Sequence, residues 1–194
     1  MKRLNLIICL TLTLFFLLYL PSTGLAQRGG APASPKAATT QTVGADTVIT
    51  IEYSRPGVKG RKIWGELVPY GLAPGNRSSD GKPFPWRAGA NQNTTIEFSK
   101  DILIEGKSLA AGKYGIHMLP GEKEWTVIFS KNNSAWGSFQ YNQEEDALRV
   151  TVTPMDAPHE EWLSFGFDEL TPTSAVASLH WEKIRVPIKI ELVQ

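Results

Sequence analysis

From Asp46 to the C-terminus, apolar and polar residues alternate with a period of two, the pattern of strands that cover a core with one face. In DTVITIEY (46–53), Ile49, Ile51 and Tyr53 share a side; in TTIEF (94–98), Ile96 and Phe98 do. KYGIHML (113–119) aligns Tyr114, Ile116 and Met118 and leaves His117 opposite; EWTVIF (124–129) aligns Trp125, Val127 and Phe129. ALRVTV (147–152), LSFGF (163–167), SAVASLHW (174–181) and the run from Ile184 to Leu192 behave in the same way. No segment of ten or more residues carries helical periodicity.

The breakers agree with strands. Leu119-Pro120-Gly121-Glu122 has Pro and Gly at the central positions of a type II turn, predicting a hairpin over 113–130. Lys131–Ser134 forms a second turn, and Gly106 separates two short strand pieces. Pro187 lacks an N–H and predicts an edge or a bulge in the last strand. The expected fold is all-β: a single antiparallel β-sandwich of about eight to ten strands, with an open β-barrel as the alternative.

The N-terminal region changes the picture of where the domain begins. Lys2 and Arg3 precede an apolar run from Leu4 to Leu20, then Pro21 and Gly24-Leu25-Ala26, which predicts a signal peptide over residues 1–26. The alternative is an uncleaved N-terminal anchor, because about 17 apolar residues approach the length that spans a bilayer. Cys9 is the single cysteine, and Ile8 before it disfavours lipidation. A chain cleaved after Ala26 has no thiol and no disulfide. It also loses Lys2 and Arg3 from 20 basic residues, leaving 18 against 19 acidic ones, a net charge of −1. That balance argues against nucleic-acid partners, and it leaves membrane contact to a retained signal segment. Residues 27–45 have the composition of a flexible linker, and 46–194 form the expected domain. The expected location is exported, periplasmic or extracellular.

Motifs add little chemistry. No nucleophile elbow, phosphate loop, dinucleotide fingerprint or H-E-x-x-H is present, and no cofactor or metal is implied. His117 and His180 fall on outward strand faces and read as solvated; His159 lies beside Asp156, Glu160 and Glu161 in an acidic turn. An enzyme would need a site assembled from separate strands, for example His117 with Asp156 or Glu160.

Two stretches stand out. In YSRPGVKGRKIWG, Arg55, Lys59 and Arg61 are basic residues between glycines. In PFPWRAGANQNTTIEF, Trp86, Arg87 and Asn91 occupy a loop with the donors and aromatic surface to grip a carboxylate, phosphate or sugar. Structural duties compete with this: loop carbonyls for Arg87, a turn cap for Asn91, core for Trp86, and edge protection for the basic run.

YSRPGVKGRKIWGELVPYG, WRAGANQNTTIEFS and IEGKSLAAGKYGIHMLPGEKEWTVIFSK together resemble the bacterial exported family catalogued as domain of unknown function 2911, over about 48–192. The resemblance implies a single exported β-rich domain and assigns no reaction. LAPGNRSSDGKPFP (72–85) departs from the family pattern as an insertion of about ten residues, expected at a surface loop. It places Trp86 at a loop mouth and supplies a candidate lid. The functional expectation is a non-catalytic domain binding an unknown small anionic or sugar-like ligand or a protein partner. The alternatives are the assembled hydrolase or isomerase and a structural module of the cell envelope.

Overall fold

The computed structural model describes residues 33–193; the predicted signal segment lies outside them. The strands are β1 (Lys36–Val43), β2 (Thr47–Ser54), β3 (Thr94–Phe98), β4 (Ile102–Ile104), β5 (Lys107–Leu109), β6 (Gly112–Leu119), β7 (Trp125–Ser130), β8 (Asp146–Val152), β9 (Met155–Asp168) and β10 (Ser174–Leu192). They form two antiparallel sheets, one of six strands in the order β1-β2-β3-β6-β7-β8 and one of four in the order β5-β4-β10-β9. This is the expected sandwich, not a barrel.

The alternation places the core between the sheets. Ile49 and Ile51 of β2, Ile96 and Phe98 of β3, Ile116 and Met118 of β6, and Val127 and Phe129 of β7 are buried from one side. Leu179, Trp181, Val186 and Ile188 of β10 meet them from the other. Each such side chain contributes about 1.5–3 kcal/mol when fully buried. Four tryptophans from distant parts of the chain join the layers. The Trp64 ring stands edge-on to Trp86, Trp125 and Trp181 at 4.9–5.7 Å, and Trp86 stacks on Trp181 at 6.0 Å.

Four expectations are corrected. The linker expected over 27–45 contains β1, which pairs with β2 from Lys36↔Ser54 to Val43↔Thr47. Its Ala- and Thr-rich sequence lacks large apolar residues because an outer strand buries little. The β6–β7 hairpin forms, but its last pair is Leu119↔Thr126, and Gly121 does not take the positive φ of a type II turn. Gly121 is needed for space, since a Cβ there would lie 2.2 Å from the Glu124 carbonyl oxygen. The two C-terminal segments are one strand, β10, with register shifts between His180 and Ile184. Pro187 lies neither on a sheet edge nor at those bulges. Its pairing with β9 ends at Arg185 and its pairing with β4 begins at Ile190, so its missing N–H falls where β10 changes partners.

Candidate ligand groove and the residues that shape it

The outer face of the six-stranded sheet carries an open groove of about 510 Å³. Its floor comes from Glu52 and Thr95, which are cross-strand partners on β2 and β3, and from Lys113 of β6. Lys36 at the start of β1, Gln92 and Asn93 before β3, and Asn133 and Ser134 after β7 form its walls. Gly115 allows the last wall to approach. A Cβ there would stand 2.5 Å from the Asn132 carbonyl oxygen, so any larger residue pushes the 132–135 segment off the sheet.

The floor is an ion pair. Lys113 Nζ lies 2.5 Å from Glu52 Oε2 and, by donating to it, holds the Glu52 carboxyl below its usual range; the Lys36 charge adds to this. Lys113 is thereby engaged, whereas Lys36 forms no ion pair among the described residues. Asn93 is buried; its Nδ2 donates to the Asn132 carbonyl at 3.3 Å, and its Oδ1 has no donor among the described residues. A buried acceptor without a donor is rare in folded proteins, and this one is closed to the open groove.

Beneath the neighbouring 131–145 segment, His117 and Ser138 are both buried and their Nδ1 and Oγ atoms are 2.7 Å apart. His117 does point away from the core, as alternation predicts, but this segment covers it, so it is not a solvated surface residue. Burial, and then the positive charge of Arg87, push the His117 pKa down to about 4. Both causes oppose the imidazolium that a general base must become. The partners expected for an enzymatic His117 are elsewhere: Asp156 and Glu160 lie on β9, in the other sheet. Glu160 instead faces His180 Nδ1 at 2.8 Å, and His159 faces Glu161 at 3.5 Å. Among the described residues, no group of three or more His, Cys, Asp or Glu side chains is arranged to hold a metal ion.

The family profile described as Protein of unknown function (DUF2911) matches residues 34–190, from just before β1 into β10. The chain belongs to the DUF2911 family. No curated protein and no solved structure matches it.

The six residues singled out in the sequence of this DUF2911 domain do not converge on the groove. Arg55, Lys59 and Arg61 lie in a strap along the outer edge of β9. Leu163 N–H donates to the Pro56 carbonyl, Val58 N–H donates to the Glu161 carbonyl, and Arg55 Nε donates to the Leu163 carbonyl at 2.8 Å. The Lys59 ammonium sits 5.4 Å over the Trp162 ring, and Arg61 donates back to the Gly57 and Val58 carbonyls. Trp86 is half-buried and packs against the core. It forms a backbone bridge with Met118, with hydrogen bonds of 2.9 and 2.7 Å, and its ring joins the tryptophan cluster. The 72–85 insertion closes on itself through an Ala73↔Phe84 bridge and a short 3-10 turn capped by Asn76. Its Ser78 lines a hollow with Trp136 and Phe139, and none of its residues lines the groove.

Arg87 lies over Phe139 at 4.9 Å and donates to the Asn91 carbonyl at 2.7 Å, while Asn91 Nδ2 donates to the Ser34 carbonyl at 3.3 Å. Gly137, with φ of 70°, has no side chain where the guanidinium passes. These two residues shape the turn that carries Gln92 and Asn93 to the groove wall. Sequence reasoning found that turn but missed its groove-lining members, and also missed Lys36 and Glu52. Alternating polar residues on strands carry no local signal that distinguishes a groove floor from an ordinary solvated face.

Proposed function

We propose that this domain is a non-catalytic, exported binding module whose outer-sheet groove takes a small hydroxylated anion, with acidic sugars the fitting class. The observation that carries this reading is an open groove whose wall presents Lys36, which forms no ion pair among the described residues, beside the polar side chains of Gln92, Asn133 and Ser134. A ligand carboxylate would meet Lys36, and its hydroxyls would meet the polar groups of the groove walls. The Gln92, Asn133 and Ser134 side chains supply further polar contacts. The basic sequence of residues 1–3 and the apolar run after it support export.

Titration calorimetry with a uronic acid, the matching neutral sugar and inorganic phosphate tests the groove. The uronic acid is expected to bind best, and Lys36→Met, an exposed substitution, is expected to weaken it by about 10-fold, the scale of one charge-assisted hydrogen bond. Equal binding of acid and neutral sugar, no binding of any probe, or indifference to Lys36→Met overturns the assignment. Export is read separately: mass spectrometry of the protein recovered outside the cytoplasm should give a chain beginning at Gln27. Recovery only in the cytoplasm, starting at Met1, would refute it.

A further inference from the structure

We propose that the free edge of β1 pairs with the same edge of a second copy of this chain, antiparallel about a two-fold axis at Thr39. The four outer strands of the two sheets are β1, β8, β5 and β9, and three of them are protected. β9 is covered along Glu161–Leu163 by the Pro56–Val58 strap. β5 is three residues long, and β8 carries Asp146 and Arg149, with Lys107 Nζ on the Arg149 carbonyl. β1 is eight residues long, contains no proline or bulge, and has its only charge at its first residue, Lys36. Long, regular, uncharged edges are templates for strand pairing, and natural sheets normally block them.

The ladder shows which groups are on offer. Val48 turns both backbone groups away from β1: its N–H donates to Ser99 Oγ at 2.8 Å, and its carbonyl accepts from the Ser99 N–H at 3.0 Å. Antiparallel strands alternate, so β2 bonds to β1 through Ala37, Thr39, Gln41 and Val43. Lys36, Ala38, Thr40 and Thr42 therefore present their N–H and C=O groups to the opposite edge. Among the described residues, that edge meets only the Gln41 side-chain amide, which donates to the Thr42 carbonyl at 2.7 Å.

A second copy fits this edge in one full register. Lys36 meets the partner's Thr42 and Ala38 meets the partner's Thr40, with the same pairs repeated by symmetry, so every outward backbone group finds its complement. Inward residues face inward residues, with Thr39 opposite the partner's Thr39. No like charges oppose, and Thr–Thr and Ala–Thr neighbours suit an exposed ladder. The two six-stranded sheets become one.

Analytical ultracentrifugation of the purified full chain, without ligand, tests this independently of the groove. A monomer–dimer equilibrium is expected. Exchange at the Ala38, Thr40 and Thr42 amides should slow by roughly 10-fold as the dimer forms, the protection that ladder bonding brings. The double substitution Ala38→Lys/Thr40→Lys sets like charges opposite each other and should give monomer, as should Ala38→Glu/Thr40→Glu. Mixing the two variants should restore the dimer. A monomer at every concentration, a dimer indifferent to both variants, or a mixture that stays monomeric overturns the proposal. A monomer whose β1 amides are already protected also overturns it, by showing the edge covered within one chain.

Discussion

Replacing Trp181 with alanine is expected to destabilise the domain by about 3–5 kcal/mol, the range for deleting a large aromatic from a packed interior. Trp181 is 1% exposed, stacks on Trp86 and receives the Trp64 edge, so its removal empties the contact between the two sheets. Trp125 is fixed in β7 and Trp86 is fixed by its backbone bridge to Met118, so neither can collapse into the gap without breaking backbone hydrogen bonds. For a domain of this size, the change corresponds to a fall in melting temperature of roughly 10 °C or more. Trp136→Ala is the control: that side chain is 61% exposed, and its loss should change stability by no more than about 0.5 kcal/mol. Thermal and urea unfolding of both variants decide the matter. A loss below about 1 kcal/mol for Trp181→Ala would show that the cluster does not join the layers.

Acid is the second large lever. His117 has a folded-state pKa of about 4 against an ordinary value of 6.5, because its burial and the Arg87 charge disfavour the imidazolium. Between these values the unfolded chain binds the proton and the folded chain does not, so stability rises with pH across this window. The contribution is complete above pH 6.5 and is lost as pH falls toward 4, for a total of about 3 kcal/mol at 1.36 kcal/mol per pKa unit. His117→Gln should remove that slope while leaving the titration of exposed groups in place. Urea midpoints at pH 7 and 4.5 for both proteins isolate the difference. Parallel pH profiles would exclude His117 as the source.

The period-two pattern made most of the sandwich legible, because each core strand must bury alternate residues. It missed β1, whose Ala, Thr and Gln side chains face little core and look like linker. It split β10 at its bulges, where alternation is interrupted, and it took His117 for a surface residue. Alternation tells which way a side chain points; it does not tell whether a distant loop lies over it. The same limit applied to the site. Trp86 and Arg87 looked suited to a ligand by their chemistry, but the chain uses that chemistry for core packing and for bracing a turn. The groove is made of ordinary polar residues from β1, β2, β3, β6 and two loops, brought together only by register.

The change of partner along β10 bears on how the molecule comes into being. Its first half returns to β9, its immediate predecessor, while Ile190–Leu192 reach back to Ile102–Ile104. Nearest-neighbour hairpins can therefore assemble early, but β4 and β5 have no place in the second layer until Ile190–Leu192 pair with β4. Pairings of such wide sequence separation slow folding. The second layer therefore closes after the local hairpins, because its pairing with β4 must wait for β10.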